Sequence, residues 1–283
     1  MKPFIIFMLM LAPYAMTQAQ HKETIHLWPG AVPGETGARH PAVATPDTSN
    51  SVVRLTDVTD PVLEVYPANP AHAKNIGVIV CPGGSYSILA INLEGYEIAK
   101  WLNQLGYTAF VLQYRVPKKE AGALQDAQRA MRIVRSRAKE WKLDPEKIGM
   151  MGFSAGGSLT ARTSTQYNVK TYTPVDKADS LSARPAFGML IYPAYLDKGE
   201  GRKLTPELTI DKQTPPMFLF ATADDYFGNS ALVMAGALRD AGVAVELHFY
   251  AKGGHGYGLR PGNSAAEVWP SLAAKWMEHL NIR

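Results

Sequence analysis

The clearest candidates for a catalytic role lie in the pentapeptide at 152–156, which has the sequence Gly-Phe-Ser-Ala-Gly. It follows the apolar run 147–151, which is typical of a buried strand. A strand that leads into G-x-S-x-G is the setting of a nucleophile elbow, a tight turn into a helix that exposes the serine hydroxyl. The pentapeptide alone is a weak signal, because roughly one chain in ten of this length contains it by chance. Ser154 is therefore a candidate nucleophile whose assignment depends on the surrounding sequence.

A serine hydroxyl becomes a useful nucleophile only when a histidine takes its proton and a carboxylate orients that histidine. His255 lies in a glycine-rich loop that follows an apolar run. Between Ser154 and His255, another apolar run ends in two neighbouring carboxylates, Asp224 and Asp225. The order serine, aspartate, histidine along the chain is that of the α/β-hydrolase fold. These residues predict a catalytic triad whose acid is one of two adjacent aspartates.

An acyl-transfer site also needs backbone N–H groups that face the charge developing on the substrate carbonyl oxygen. The apolar run 75–80 predicts a strand, and the loop 81–86 after it contains small residues that allow the main chain to approach a ligand closely. In this fold one donor is the residue after the nucleophile, and the other comes from such a loop. We therefore expect the N–H groups of Gly84, Ser85 and Ala155 to form an oxyanion hole.

Further motifs accompany these residues. They are C-P-G-G-S-Y at 81–86, N-L-E-G at 92–95, Y-R-V-P at 114–117, A-D-D at 223–225 and L-W-P-G at 27–30. Through these motifs the chain resembles α/β-hydrolases of the acetyl esterase and acetyl xylan esterase type, which are related to feruloyl and lipase-like esterases. Related esterases usually carry a third glycine at the position of Ser85. A serine keeps the N–H group, so this difference concerns the backbone geometry of the loop.

The resemblance implies an α/β fold with a mostly parallel central sheet and helices on both faces. It also implies a serine carboxylesterase that removes acetyl groups from a carbohydrate through an acyl-enzyme. In that reaction Ser154 attacks the ester, His255 transfers the proton and Asp224 orients His255. Asp225 is then expected to cap the following helix or loop.

The sequence says less about the substrate. Two polar insertions, 162–184 and 197–214, are expected at the carboxyl edge of the sheet, where ligands enter α/β folds. Their tyrosines are candidates for stacking on sugar rings, and Tyr86 and Tyr257 are expected to contact the substrate. We predict a small-molecule or oligosaccharide ester, with acetylated xylan as the leading candidate. A feruloyl esterase or peptidase-like hydrolase is the alternative, and a non-catalytic carbohydrate-binding or adhesion protein is the alternative of another class.

Apolar runs alternate with amphipathic segments along the chain, which favours a mostly parallel sheet covered by helices. Segments 51–58 and 62–66 are expected to open the domain as an antiparallel pair. Apolar residues at spacings of three and four predict a helix over 124–138. The closing helix is expected to begin either at Ser264 or at Pro270.

The composition fits one large domain, since the chain has 283 residues, of which 46% are hydrophobic and 19% charged. Its net charge of +4 comes from dispersed lysines and arginines, so no nucleic-acid partner is expected. There is no H-E-x-x-H motif and no pair of cysteines, and we expect neither a metal nor another cofactor. The single cysteine, Cys81, has no partner for an intramolecular disulfide.

The beginning of the chain resembles a secretory signal peptide. A positive charge precedes the apolar run 4–11, which is too short to span a bilayer, and Ala19 is a small residue at the cleavage position. We predict cleavage after Ala19, a periplasmic or secreted protein, and no membrane association after cleavage. The expected organisation is a signal peptide over 1–19, an N-terminal extension over 20–50 and a catalytic domain over 51–283. The oligomeric state is not indicated.

Overall fold

The structure is a computed structural model and describes residues 23–280. The strands form two sheets. In chain order they are β1 (Glu23–His26), β2 (Val43–Ala44), β3 (Arg54–Thr56), β4 (Val62–Tyr66), β5 (Gly77–Cys81), β6 (Leu89–Ala90), β7 (Thr108–Gln113), β8 (Ile148–Phe153), β9 (Gly188–Ile191), β10 (Met217–Thr222) and β11 (Val245–Tyr250). The larger sheet has eight strands in the order β1-β4-β7-β5-β8-β9-β10-β11, and β2, β3 and β6 form the smaller one.

The larger sheet is mostly parallel. The run from β7 to β11 across the sheet consists of parallel neighbours, while β4 is antiparallel to both β1 and β7. Since the ends of parallel strands meet at one edge, the loops after β5, β8, β10 and β11 lie at the same edge of the sheet. These are the loops that carry the residues singled out by the sequence.

Helices cover both faces of the larger sheet. They are α1 (Glu97–Gln104), α2 (Glu120–Ser136), α3 (Ala155–Thr165), α4 (Asn229–Asp240) and α5 (Ser264–His279). A π-helical turn, Asn92–Tyr96, precedes α1. Short 3₁₀ segments occur in four connections of the described residues, at Ser49–Ser51, Ala138–Trp141, Lys177–Ser180 and Glu200–Arg202. The apolar clusters place α1 and α5 on one face and α2, α3 and α4 on the other. The predicted α/β fold class is thereby confirmed.

Side chains of the central strands alternate between the two helical layers. Ile79 of β5 belongs to the cluster beneath α2, whereas Val78 and Val80 belong to the cluster beneath α1 and α5. Every residue of β5 is buried, because helices cover both sides of the strand. This double burial explains why the strands appear in the sequence as nearly continuous apolar runs rather than as alternating patterns.

The expected antiparallel pairing of segments 51–58 and 62–66 is wrong. Strand β4 pairs with β1 on one side and with β7 on the other, whereas β3 pairs with β2 and β6 in the smaller sheet. Four of the five residues of β4 are buried. Because buried backbone N–H and C=O groups need hydrogen-bond partners, this strand requires a neighbouring strand at each edge. One of those neighbours comes from residues 23–26, which the sequence did not indicate as a strand.

The packed structure also extends N-terminal to the predicted domain boundary at residue 51. Leu27 and Trp28 are fully buried. Trp28 Nε1 donates a hydrogen bond of 2.9 Å to Asp126 Oδ1, and Arg129 Nε donates one of 2.9 Å to the Leu27 carbonyl oxygen. Asp126 and Arg129 both belong to α2, so this helix anchors the N-terminal segment.

Of the two alternatives for the closing helix, the structure shows the first. Helix α5 begins at Ser264, and the side chain of Asn263 accepts hydrogen bonds from the N–H groups of Ala265 and Ala266. Pro270 lies inside the helix rather than at its first position.

The predicted signal peptide and its cleavage position lie outside the described residues. Among the helices of residues 23–280, none has the length and apolar character needed to cross a bilayer.

Candidate active site

Ser154 lies in a strained turn between β8 and α3. Its backbone has φ 51° and ψ −117°, a conformation that residues other than glycine rarely adopt. The two glycines of the motif are required by space: a Cβ atom on Gly152 would lie 2.0 Å from the Gly156 carbonyl oxygen, and one on Gly156 would lie 1.9 Å from the Cys81 carbonyl oxygen. The G-x-S-x-G pattern therefore reflects close backbone packing around a serine that carries the strain itself.

His255 lies between the serine and a buried carboxylate. Its Nε2 atom is 2.7 Å from Ser154 Oγ, and its Nδ1 atom is 2.7 Å from Asp225 Oδ2. With the ring proton on Nδ1, the imidazole donates to Asp225 and accepts from the Ser154 hydroxyl. The His255 side chain is 28% exposed, while that of Asp225 is 1% exposed. This arrangement has the geometry of a Ser-His-Asp triad.

The assignment of Asp224 as the acid of the triad is corrected by these contacts. Asp224 is exposed, and its two carboxylate oxygens accept hydrogen bonds from the N–H groups of Gly254 and Gly253, at 2.9 and 3.2 Å. The bond from Gly254, together with the other donors, lowers the pKa of Asp224. Asp225 turns inward instead, and its Oδ1 atom accepts from the Phe227 N–H at 2.9 Å. The carboxylate that contacts the His255 ring is therefore that of Asp225, one residue later in the chain than expected.

The loop after β5 approaches the nucleophile closely. A Cβ atom on Gly83 would lie 2.8 Å from Ser154 Cβ, and one on Gly84, whose φ is 134°, would lie 2.2 Å from the Ile88 carbonyl oxygen. Ser85 has φ 57°, in the left-handed region where glycine has no steric penalty. This backbone geometry explains why a third glycine fits that position in related esterases.

The three predicted oxyanion-hole donors are unpaired in the described part of the chain. The N–H groups of Gly84, Ser85 and Ala155 donate to no backbone or side-chain acceptor there. Ala155 is the first residue of α3, where an N–H group has no partner within the helix and the helix dipole favours negative charge. The elbow and the loop therefore present free donors beside Ser154.

Glu94 is a residue of this site that the sequence analysis did not assign to any role. Its side chain is almost fully buried, and it lines the same cavity as Ser154 and His255. The carboxylate accepts hydrogen bonds from the Gly83 N–H at 2.7 Å and from the Tyr192 hydroxyl at 2.8 Å. In the sequence Glu94 stands near Asn92 and Glu97, so local residue types did not mark it as buried.

A cavity of about 500 Å³ opens at Ser154 and His255. One part of its wall is apolar and is formed by Val52, Ala90 and Leu93, which make a small cluster of their own. The remaining wall mixes Phe227, Tyr257 and Pro261 with polar side chains. The polar side chains away from the triad include Asn50, Arg54, Arg260 and Asn263. The cavity thus presents both apolar and hydrogen-bonding groups to a ligand.

The two tyrosines expected to contact the substrate differ in position. Tyr257 lines the cavity, although it is 7% exposed, and its ring packs against Tyr192 at a centroid distance of 4.5 Å. Tyr86 is 4% exposed and packs between Tyr114 and Tyr195, outside the residues that line the cavity. The loop turns the ring of Tyr86 into the core, and contact between Tyr86 and a substrate stays a prediction.

The first polar insertion, 162–184, starts in the last residues of α3 and then runs along the outside of α2. Asp179 pairs with Arg129 of α2 at 3.0 Å. Tyr172 contacts Trp28, which follows β1 at the carboxyl edge of the sheet, with ring centroids 4.8 Å apart. The insertion therefore covers α2, and it does not contribute to the described wall of the cavity at Ser154. Within residues 23–280, no group of three histidine, cysteine or acidic side chains is placed to hold a metal ion.

Comparison with known proteins agrees with this geometry. The profile of the BD-FAE family matches residues 63–190. An acetylxylan esterase from Xylanibacter ruminicola is 32% identical over 219 residues, covering 68% of this chain and 42% of that protein. An endo-1,4-beta-xylanase B from Butyrivibrio fibrisolvens is 31% identical over 206 residues, covering 63% of this chain and 32% of that protein. The chain thus spans less than half the length of the curated relatives it matches.

Solved structures extend the similarity over nearly the whole chain. An acetyl ester-xyloside bifunctional hydrolase from Caldicellulosiruptor lactoaceticus is 31% identical, with a TM-score of 0.74, covering 93% of this chain and 97% of that one. An esterase from Thermogutta terrifontis is 22% identical, with a TM-score of 0.68, covering 85% of this chain and 95% of that one, and supports the fold. The chain therefore belongs to the acetyl xylan esterase-like α/β-hydrolases.

Proposed function

We propose that the protein is a serine carboxylesterase. The observation that carries this proposal is the unbroken hydrogen-bonded series from Ser154 Oγ through His255 to Asp225, in which both contacts measure 2.7 Å. A serine without a catalytic role does not need a histidine that is oriented by a buried aspartate, whereas a nucleophilic serine does. The carboxylate is held by the Phe227 N–H, so the imidazole is oriented before a substrate arrives.

The reaction follows from this arrangement in two halves. Ser154 Oγ attacks the ester carbonyl carbon while His255 Nε2 takes the hydroxyl proton, and the developing oxyanion binds the N–H groups of Ala155, Gly84 and Ser85. When the C–O bond of the ester breaks, His255 returns the proton to the leaving alcohol. Water then attacks the acyl-enzyme while His255 takes a proton from it. As the bond between the acyl carbon and Ser154 Oγ breaks, His255 gives that proton to Oγ, so that the carboxylic acid is released and the free serine is regenerated.

We propose further that the ester is an acetyl group on a carbohydrate. Val52, Ala90 and Leu93 offer an apolar surface for the acyl group, and a methylene that does not fit there would displace the carbonyl from the nucleophile. The polar side chains of the cavity, Asn50, Arg54, Arg260 and Asn263, suit a hydroxylated alcohol portion. The similarity to an acetylxylan esterase and to an acetyl ester-xyloside hydrolase supports the same substrate class.

An aromatic row leads outward from the site and supports a sugar as the alcohol portion. The ring of Phe227 lies 5.1 Å from that of His255, and the ring of Tyr226 lies 5.1 Å from that of Phe227. Tyr226 is 82% exposed, so much of its ring is open to a ligand beside its contacts with Phe227 and Arg202. The C–H face of a pyranose ring can pack on such an aromatic surface, as apolar groups do.

Acyl preference and acetate release test the proposal. We expect kcat/KM on aryl esters with equal leaving groups to fall from acetate through butyrate to octanoate, and acetate to be released from acetylated xylo-oligosaccharides. A maximum at octanoate would indicate a lipase-like enzyme. Activity on feruloyl esters with none on acetylated sugars would favour the alternative within this fold.

Variants at Tyr226 test the carbohydrate part separately. Tyr226→Ala is expected to raise KM for acetylated xylo-oligosaccharides about fivefold, which corresponds to the loss of one ring contact of about 1 kcal/mol, and to leave aryl acetate hydrolysis unchanged. Tyr226→Phe keeps the ring and is expected to behave as wild type. Val169→Ala changes another exposed apolar side chain, 51% exposed, and serves as the control. Equal KM values in Tyr226→Ala and Val169→Ala would contradict a role for Tyr226 in binding sugars.

We also propose export to the periplasm or the medium. The support is the charged, apolar and small-residue pattern of residues 1–19. The chain expressed with its full N-terminus in a bacterial host is expected to mature to Gln20. Recovery of a cytosolic protein with an intact N-terminus would contradict this proposal.

A further inference from the structure

Glu94 connects three separate segments of the active site through hydrogen bonds. One carboxylate oxygen accepts from the Gly83 N–H at 2.7 Å, in the loop after β5. The other accepts from the Tyr192 hydroxyl at 2.8 Å, directly after β9. The Tyr192 oxygen in turn accepts from the Gly258 N–H at 3.1 Å, three residues after His255. One side chain thus links the oxyanion loop to the histidine loop.

The surroundings of Glu94 make this linkage specific. Both Glu94 and Tyr192 are shielded from solvent, and burial raises the pKa of each of the two groups. The hydrogen bonds from Tyr192 and Gly83 and the proximity of His255 oppose the effect of burial, but the pKa of Glu94 stays raised. Tyr114 is a further titratable neighbour of this carboxyl group. The Tyr192 hydroxyl stays protonated and donates a hydrogen bond to Glu94, while its oxygen accepts one from the Gly258 N–H.

The loop that Glu94 holds packs closely against the nucleophile, since a Cβ atom on Gly83 would lie 2.8 Å from Ser154 Cβ. A Cβ atom on Gly83 would lie 2.7 Å from the Glu94 carboxylate and 2.6 Å from the Phe153 carbonyl oxygen, so Gly83 is enclosed by Glu94 on one side and the elbow on the other. The following residues, Gly84 and Ser85, carry the free N–H groups. Any shift of Gly83 therefore moves these donors relative to Ser154.

We propose that Glu94 is a positioning residue for the esterase reaction, holding the oxyanion loop and the His255 loop in register through Gly83 and the Tyr192–Gly258 contact. This inference rests on the proposed serine esterase function. Because an oxyanion hole contributes only when its donors meet the transition-state oxygen, a misplaced loop lowers kcat more than it changes KM. A residue that only stabilised the fold would lower the resistance to unfolding and leave kcat per folded molecule unchanged.

The first experiment measures kcat and KM for p-nitrophenyl acetate in Glu94→Gln and Glu94→Ala. Reactive serines are counted by complete reaction with a fluorophosphonate, so that kcat refers to folded enzyme only. We expect Glu94→Ala to lower kcat by about 10- to 100-fold with KM changed less than about threefold, as for the loss of an oxyanion contact. Glu94→Gln is expected to lie between Glu94→Ala and wild type, because its carbonyl oxygen can still accept from the Gly83 N–H.

Asn103→Ala provides the matched control. The Asn103 side chain is also buried, and it donates 2.9 Å hydrogen bonds to the carbonyl oxygens of Tyr66 and Tyr107, near the end of α1 and away from Ser154. Its replacement is expected to lower stability while kcat stays within about twofold of wild type. If Glu94→Ala matches Asn103→Ala in both stability and kcat, Glu94 has only a structural role and the inference fails.

A double-mutant cycle tests the linkage to the histidine loop, and it does not depend on Glu94→Ala folding. Tyr192→Phe removes the hydroxyl that joins Glu94 to Gly258. If one linkage is at work, Glu94→Gln combined with Tyr192→Phe loses less kcat than the product of the two single losses. Losses that multiply would refute the linkage. A wild-type protein that neither hydrolyses the acetate ester nor reacts with the fluorophosphonate would refute the proposed function instead.

Discussion

At the scale of single residues, two adjacent carboxylates have different environments and different partners. Asp225 is buried and contacts the His255 ring, while its second oxygen is fixed by the Phe227 N–H. Asp224 is exposed and binds the N–H groups at the start of the histidine loop. Asp225 therefore acts on the imidazole itself, and Asp224 acts on the backbone that carries it.

Replacing each aspartate by asparagine separates the two roles. Asp225→Asn is expected to lower kcat by about 10³- to 10⁴-fold, because an amide at this position favours the wrong imidazole tautomer. Asp224→Asn keeps one acceptor oxygen for the loop, and its kcat is expected to stay within about tenfold of wild type. The measurement is turnover of an aryl acetate per folded enzyme. A larger loss in Asp224→Asn than in Asp225→Asn would reverse the assignment.

The sequence located this site to within one residue. Ser154 and His255 could be identified because each stands in a distinctive setting, the elbow motif and a glycine-rich loop after a strand. The choice between Asp224 and Asp225 depends on the turn after β10, in which the Asp225 N–H bonds to the Thr222 carbonyl oxygen at 3.3 Å. Local residue types do not determine which side chain such a turn directs inward. Glu94 was missed because its partners, Gly83 and Tyr192, come from different elements.

At the scale of elements, the junction of β8 and α3 is the most tightly constrained part of the fold. Gly152 and Gly156 face each other across the elbow, and Gly156 also packs against the backbone at the end of β5. Backbone atoms cannot move aside as a flexible side chain can. The strand, the turn and the helix are therefore fixed as one unit beneath Ser154.

Two glycine-to-alanine replacements test this constraint. Gly156→Ala would place a methyl group 1.9 Å from the Cys81 carbonyl oxygen, and we expect a loss of at least about 3 kcal/mol in the free energy of unfolding or no soluble protein. Gly236→Ala lies within α4, where nothing comes within 4 Å of the new methyl group. It is expected to stabilise the protein by about 0.5–1 kcal/mol. Chemical denaturation compares them, and equal stabilities would contradict the packing described for the elbow.

The strands of the central sheet could be predicted because their burial on both faces produces continuous apolar runs. Their pairing could not be predicted in full, since the partner of β4 is a short segment at residues 23–26 with an exposed outer side. Local residue types do not indicate that two strands distant in the chain, such as β1 and β4, will pair. Whether an insertion reaches the cavity also depends on nonlocal contacts, such as those that hold segment 162–184 against α2.

At the scale of the whole molecule, the N-terminal segment is part of both the core and the cavity. Trp28 is buried against α2, and Asn50 and Val52 line the cavity around Ser154. Arg260, which follows the histidine loop, donates hydrogen bonds to the carbonyl oxygens of Asn50 and Ser51. The segment expected to be an extension outside the catalytic domain thus contributes its last residue, Asn50, to the wall of the substrate site.

Truncation tests this role of the segment. A chain that starts at Gln20 is expected to fold and hydrolyse aryl acetates, whereas a chain that starts at Ser51 lacks β1 and Trp28 and is expected not to fold stably. Trp28→Ala is the milder version, with an expected loss of about 3–5 kcal/mol from the cavity left beneath the segment. A chain starting at Ser51 with the stability and activity of the longer chain would show that the catalytic domain is independent of residues 20–50.

The most direct test of the serine esterase mechanism combines a chemical label with a single replacement. After reaction with a fluorophosphonate, peptide mass spectrometry is expected to find one adduct, on Ser154, with acetate release falling in proportion to the labelled fraction. Ser154→Ala is expected to stay folded, to take up no label and to lose at least about 10³-fold in turnover of an aryl acetate. A label on another residue, or a Ser154→Ala variant that keeps more than about a tenth of wild-type activity, would contradict the mechanism.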